Sequence, residues 1–283
     1  MTLVRRLCDV AGHMGRDGYA GRLARANLET LIASPDRLTA QLEQSRKVVR
    51  RNNRLVEMQA LEALRDVMQL SHAHGMSPFL FFGTLLGVVR DQGFIPGDSD
   101  IDLGVLDCKC LNEFRISAQQ QGYRKDKVRW KDGRLSTLAL RHPNGSVIDL
   151  KDCLTGPGES TTWFTYSATL SVQKRFPCAI DLTEADFKSV TVYLPTCATE
   201  YLEWQYGPRW RKPDPTYHYV TSGPVHGPDH EQFVARAGPI AILHMLHTGR
   251  VSKAKMMTEN MAGLFPGDQL WPRFAGTLAS VGN

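Results

Sequence analysis

The sequence predicts an α/β (α+β) fold: a mixed sheet flanked by helices, with a helical extension in front of it. Three observations predict it. A helix-periodic run spans Leu55–His74, an apolar strand turns through Gly83-Thr84 into a helix and then an acidic strand, and residues 127–153 read as a meander. The chain has 283 residues, 42% hydrophobic and 22% charged. That is enough for a full core and ordinary for a globular protein.

Helices are expected over Leu3–Met14 and Tyr19–Ile32. A third starts at Ser34-Pro35-Asp36, with Ser34 as cap and Pro35 in the first position. Gln44–Arg54 is basic without interleaved aromatics. It reads as a solvated face or connector, the alternative being contact with an anionic membrane surface or glycan carrier. In Leu55–His74 the apolar positions Leu55, Met58, Leu61, Leu64, Val67, Met68 and Leu70 follow a helical period, and Gly75 stops it.

Phe79–Phe82 is a short buried strand, Gly83 the turn, and Thr84 the expected N-cap of a helix over Leu85–Asp91. Gly93 and Pro96-Gly97 end that helix, and Asp98–Leu106 is the next strand. Alternation puts Asp100 and Asp102 on one face of it, with Ile101 and Leu103 on the other. Two carboxylates sharing a strand face repel each other, and a divalent cation removes that cost. A helix follows over Asn112–Gln121, closed by Gly122.

The meander strands are Lys127–Lys131, Arg134–Arg141 and Ser146–Lys151, joined by turns at Asp132-Gly133 and His142–Gly145. Asp149 stands at the centre of the apolar third strand. It reads either as part of a site or as a strand-edge carboxylate. After Gly156 the chain is expected to be irregular up to a strand at Val190–Leu194 and a helix at Thr199–Tyr206. The loop Tyr206–Pro215 packs cations and aromatics between prolines. It can stack a base or clamp phosphates, or serve only to pack. His226 and His230 are four apart, but the flanking prolines and Gly227 argue against a helix and a metal pair. Gly238–Thr248 is an apolar core helix in which His244 and His247 are structural. The expected organisation is a helical extension (1–54), a catalytic domain (55–222) and a helical segment packed on it (223–283).

A net charge of +5 suits an anionic substrate or is simply a small excess on a solvated surface, and it is too small for a nucleic-acid protein. The six cysteines form no C-x-x-C pair, and Cys108-Lys109-Cys110 is too tight for a zinc knuckle. They read as reduced, in a cytoplasmic protein. No run reaches the length of a membrane span, and the N-terminus lacks the apolar core of a secretory signal.

A strand–Gly83-Thr84–helix turn, then Asp100-Ile101-Asp102, then Asp149 on a later antiparallel strand, is the order of parts of a phosphoryl-transfer site. The turn offers N–H groups to phosphate, the aspartate pair holds a cation, and the third carboxylate completes its sphere or acts as base. In that order the parts resemble the nucleotidyltransferase superfamily, the fold of DNA polymerase β. The resemblance is closer to the LicD/fukutin family. Gly83–Leu103, GTLLGVVRDQGFIPGDSDIDL, is similar to its signature at Gly83, Thr84, Leu85, Leu86, Gly87, Val89, Arg90, Gly93, Phe94, Ile95, Pro96, Asp98, Asp100, Ile101 and Asp102. Glu200-Tyr201-Leu202 with Tyr206–Trp210 is similar to its closing segment, and Ile148-Asp149-Leu150 to its third carboxylate step. The chain departs at Gly97, where Trp is usual, at Ser99 for Asp, and at Val88 for Ala.

The resemblance implies Mg²⁺ or Mn²⁺ on Asp100, Asp102 and Asp149. It implies a CDP-activated donor of the CDP-choline or CDP-alditol class and a hydroxyl of a cell-surface glycan as acceptor. Arg90 would reach a donor phosphate, or instead pair with one of the aspartates. Gly83, Thr84, Arg209, Trp210 and Arg211 are the further donor-contact candidates. No nucleic-acid partner is implied; peripheral association with a membrane glycan-assembly complex, at the inner face, is compatible. Transfer of a nucleoside monophosphate from a triphosphate, and a silent scaffold of the same fold, are the alternatives.

Overall fold

A computed structural model describes residues 19–46, 56–107, 110–131, 133–156, 159–165 and 170–281. The expected helix Leu3–Met14 and most of the basic stretch Gln44–Arg54 lie outside the described residues. The described chain forms two compact units. One contains α1 (Tyr19–Ala33), α2 (Pro35–Arg46), a short stretch around residues 164–172 and the segment from Lys212 onward. The other holds most of the sheet and the helices between its strands.

The sheet unit opens with α3 (Glu57–Ala73), which ends as expected beside Gly75 at φ +66°. Then come β1 (Phe79–Leu80), α4 (Phe82–Asp91), β2 (Ile101–Leu106), α5 (Leu111–Gln120), β3 (Arg124–Lys131), β4 (Arg134–Arg141) and β5 (Val147–Gly156). β6 (Glu159–Thr165), β7 (Ser171–Arg175), β8 (Leu182–Phe187), β9 (Val190–Pro195) and α6 (Ala198–Tyr206) complete it. The strand order is β3-β4-β5-β2-β1-β9-β8, with β6 joined to β5 and β7 to β6. The sheet is mixed, as expected. β5 is antiparallel to β4 but parallel to β2, and β1 is antiparallel to β2 but parallel to β9.

Several expectations are corrected. The strand at Phe79–Phe82 stops at Leu80, and the following helix starts at Phe82, not Leu85. The acidic strand begins at Ile101, so Asp98–Asp100 belong to the loop before it. β5 runs past Lys151 because its second half pairs with β6, from Cys153↔Thr162 to Gly156↔Glu159. The stretch expected to be irregular therefore holds β6, β7 and β8. Their sequences (ESTTWFT, SVQKR, LTEADF) lack a clean apolar alternation, and β8 is an edge strand with one partner.

The core of this unit lies where α3 packs against β9, α5 against β3 and β4, and α4 against β2 and α6. Leu64, Val67, Phe81, Leu85, Ile101, Leu103, Phe114, Leu138, Leu150 and Tyr201 are all buried there. Leu103, Leu138 and Leu150 sit across neighbouring strands in one register line, which makes one face of the sheet apolar. The opposite face carries Asp102 and Asp149.

The cysteine reading is also corrected. Cys178 and Cys197 form a disulfide, with Cα atoms 6.5 Å apart. Among the described residues Cys153 is a free, buried thiol. A disulfide is at home in oxidising surroundings, so the cysteines no longer argue for a reducing compartment. No described helix is long and apolar enough to cross a membrane.

In the helical unit, α7 (Pro228–His247), α8 (Val251–Leu264) and α9 (Leu270–Ser280) follow. α7 begins at Pro228 rather than Gly238, since a proline in the first turn has no N–H that the helix needs. His226 and His230 stack, rings 5.7 Å apart, and the His226 N–H donates to His230 Nδ1. A Cβ at Gly21 of α1 would stand 2.7 Å from the Arg236 carbonyl oxygen of α7, so glycine sets that close approach. Arg25 of α1 forks onto Asp268 ahead of α9.

β1 meets β2 at Phe79↔Gly104, where a Cβ on Gly104 would lie 2.2 Å from the Phe79 ring. Gly104→Ala should therefore lower stability by about 1–3 kcal/mol, the range for overpacking a filled site. Urea denaturation checks this; an unchanged midpoint would contradict the packing described.

Candidate active site

The site is built where α4, the loop after it and β2 converge. The loop crosses α4 at Gly87, where a Cβ would lie 2.5 Å from the Gly93 carbonyl oxygen and 3.1 Å from Ile95 N. The Asp98 N–H then donates to the Ile95 carbonyl at 3.0 Å, closing a turn through Gly97 at φ +88°. Gly97 has open space around its Cβ position.

Asp102 is held from three directions. Phe81 N–H donates to its carbonyl at 3.1 Å, and its own N–H donates to Thr84 Oγ1 at 2.8 Å. Gly83 N–H donates to its Oδ2 at 3.1 Å. A side chain at Gly83 would put a Cβ 2.7 Å from Asp98 Oδ2 and 3.3 Å from Asp102 Oδ2, so the glycine admits the carboxylates. Thr84 is thus not the N-cap. The cap position is Phe81, with no side-chain cap bond, and the buried Thr84 hydroxyl serves β2 instead. The Gly83 N–H expected to face phosphate is bonded to Asp102 in this structure.

Asp149 reaches the same place by register. β2 and β5 pair with Asp102 opposite Asp149, so both carboxylates stand on one face. Ligand oxygens of Asp100, Asp102 and Asp149 all lie within 4.8 Å of one another. Removal from water, and then the nearby Asp100, Asp149 and Asp98 charges, push the Asp102 carboxyl well above the usual carboxylate range. Burial, and then Asp149, push Asp100 up as well. Ser99 opposes this: its hydroxyl donates to Asp100 Oδ1 at 3.1 Å. Asp149 Oδ2 accepts from Lys151 Nζ at 2.9 Å, whereas its Oδ1 is buried with no hydrogen-bond partner.

An oxygen-only set of crowded carboxylates, one oxygen of it orphaned, fits a hard divalent cation such as Mg²⁺ or Mn²⁺. The chain supplies the ligands from two paired strands and the loop that leads into one of them.

The remaining candidates sit differently. Arg90 forks onto Asp91 (Nε to Oδ1 2.9 Å, Nη2 to Oδ2 2.7 Å), and its Nη1 donates to the Trp210 carbonyl at 3.4 Å. Its ion pair is therefore with its neighbour and not with Asp100 or Asp102. Trp210 is a core residue, 4% exposed, with Arg211 stacked over its indole at 4.2 Å. Arg209 and Arg211 are exposed. The structure gathers Gly83, Thr84, Asp100, Asp102 and Asp149, and Arg90 instead ties α4 to the segment after α6.

Two lysines beside the carboxylates were passed over in the sequence. Lys151 follows Asp149 by two, the strand period, which is the signal that finds it. Lys127 on β3 feels both Asp149 and Asp100; burial, and then Lys151, hold its ammonium below the usual lysine range.

Comparison with known proteins bears on this geometry. A search of curated proteins finds no match. Among solved structures the chain is similar to a lincosamide antibiotic adenylyltransferase, LnuA, in its lincomycin-bound form. The identity is 15%, the match covers 52% of this chain and 84% of that one, and the TM-score is 0.37. At that score the overlap carries no argument. Residues 75–197, which contain the turn, all three aspartates and β9, match the family described as LicD/FKTN/FKRP, nucleotidyltransferase domain. Over residues 75–197 the chain thus matches a LicD/FKTN/FKRP nucleotidyltransferase domain, and that stretch carries all three aspartates of the carboxylate cluster.

Proposed function

We propose that this protein is a metal-dependent phosphotransferase that moves a phospho-alcohol group from a CDP-activated donor to a hydroxyl of a cell-surface glycan. The observation that supports it most is the convergence of Asp100, Asp102 and Asp149 inside a LicD-type domain, with Asp149 Oδ1 unpartnered. A divalent cation held by these three residues would supply charge neutralisation for the donor's diphosphate. The chain's own residues do the rest. Gly83 and Thr84 hold Asp102 in place through its side chain and its backbone. Ser99 orients Asp100. Arg90 acts as a positioning residue that keeps the Trp210 segment against α4. Arg209 and Arg211, exposed on that segment, face solvent where a nucleotide or acceptor can reach them.

In the reaction the acceptor oxygen attacks the phosphorus that bears the alcohol. The bond from that phosphorus to the bridging oxygen breaks, and CMP departs with the bond's electron pair. The hydroxyl proton passes to a carboxylate of the cluster. CDP-choline and CDP-alditols are the donor classes the domain suggests. Gly97, with open space around its Cβ position, and Ser99, whose hydroxyl donates to Asp100, are the positions assigned to tuning which alcohol fits.

A mass-spectrometric screen of CDP-alcohols with a hydroxyl acceptor tests the reading directly. Metal-dependent CMP release with transfer of the phospho-alcohol is expected. Pyrophosphate release from a nucleoside triphosphate, with transfer of the nucleoside monophosphate, would replace it by nucleotidyl transfer.

The Asp100→Asn, Asp102→Asn protein should keep its fold and lose about 10²–10⁴ in turnover, the several kcal/mol that metal charge stabilisation is worth. Full activity with a normal far-ultraviolet spectrum would remove the metal from the mechanism.

The raised Asp102 carboxyl also fixes a pH dependence. Its folded-state pKa exceeds the unfolded value, so its contribution is fully present below the unfolded pKa and is lost as pH rises through the folded one. Without divalent ions, Asp102→Asn should melt higher than wild type at neutral pH and no higher below about pH 3.5. Added Mn²⁺ should raise only the wild type. A variant that melts lower at neutral pH would show that the carboxylates are not mutually repelling.

A further inference from the structure

The sheet face that carries the aspartates carries a second line of side chains next to them. Lys127, Ala139, Asp149 and Asp102 stand opposite one another across β3, β4, β5 and β2. Two residues further along β5, the line reads Arg129, Thr137, Lys151 and Gly104. Alternation puts both lines on one face, about 7 Å apart at two residues' rise. The first line holds two carboxylates and Lys127. The second holds two cations, a hydroxyl and no carboxylate.

Its polar groups are incompletely used. Thr137 is 0% exposed, yet its Oγ1 has no hydrogen-bond partner. Arg129 Nε is buried without a partner, while its Nη1 donates to the Val128 carbonyl at 3.3 Å. Lys151 Nζ rests on Asp149 Oδ2 at 2.9 Å, its side chain 12% exposed. A buried hydroxyl without a partner is costly to keep. One kept between two cations, directly opposite both in register, matches what a ligand rich in lone pairs and negative charge requires.

We propose that Lys151, Thr137 and Arg129 form an anion subsite that takes a phosphate group of the donor's diphosphate. Lys151 leaves Asp149 Oδ2 for that phosphate when the donor binds. The subsite lies beside the carboxylates, so a diphosphate can meet both lines at once. In the absence of donor Lys151 serves as internal counter-ion of the cluster. This rests on the reading of the site as a metal-dependent donor site.

The test is calorimetric titration of the full chain with Mn²⁺, then with CDP at saturating Mn²⁺, for wild type, Lys151→Met, Lys151→Arg and Thr137→Val. Lys151→Met should weaken CDP at least tenfold while Mn²⁺ binds as tightly as before or tighter. Lys151→Arg should recover CDP binding to within a few-fold. Thr137→Val, which removes only the hydroxyl, should weaken CDP several-fold and melt no lower than wild type. Unchanged CDP binding in Lys151→Met and Thr137→Val would overturn the subsite. Parallel loss of Mn²⁺ and CDP in Lys151→Met would also overturn it, because Lys151 would then only support Asp149. Should Lys151→Met not fold, Thr137→Val decides alone by the same criterion. A wild type that binds neither Mn²⁺ nor CDP would refute the donor-site reading itself, a result distinct from wild-type binding that the variants leave untouched.

Discussion

The structure around the site depends on one unfavourable contact: three carboxylates held within a few ångströms of each other, partly out of water. Like charges at that spacing separate unless the fold prevents it. Here the fold prevents it with backbone. The Asp102 main chain is bonded on both sides, to Phe81 N–H and Thr84 Oγ1, and its carboxylate accepts from Gly83. Asp149 cannot retreat, because β5 is locked in parallel register with β2 and antiparallel register with β4. The glycines at 83 and 87 follow from the same requirement, since a Cβ at either would strike the acidic loop or its anchor.

This constraint explains why the site was legible in the sequence. Asp100 and Asp102 at a spacing of two are a strand pattern, and Ile148-Asp149-Leu150 is a carboxylate where an apolar residue would pack. Both are local inconsistencies that a fold retains only where something offsets them. The mixed sheet, the helix ending at Gly75 and the hairpin strand at Arg134–Arg141 were legible for the ordinary reason of periodicity. Three features were not. The role of Thr84 depends on a strand nearly twenty residues on, and local capping logic pointed elsewhere. β6, β7 and β8 gain their order from partners, not from their own alternation. The Cys178–Cys197 pair is made by two turns that meet in space, and its spacing resembles no motif.

The cationic loop after α6 shows the same limit from the other side. Tyr206–Pro215 has the composition of a phosphate clamp, yet Trp210 is packed in the core and Arg90 spends its guanidinium on Asp91 and the Trp210 carbonyl. Composition could not separate a binding aromatic from a packing one. The cations that do stand beside the carboxylates, Lys127 and Lys151, come from the meander strands. There cross-strand register decides proximity, and register is invisible until the pairing is known.

The central claim is that crowding of Asp100, Asp102 and Asp149 is relieved by a divalent cation bound between them. Anomalous diffraction at the manganese edge, from crystals grown with Mn²⁺ and CDP, tests it most directly. The account predicts a single peak about 2.1 Å from an oxygen of each of the three carboxylates. No peak there, with the three side chains still gathered and Lys151 Nζ still on Asp149, would contradict it.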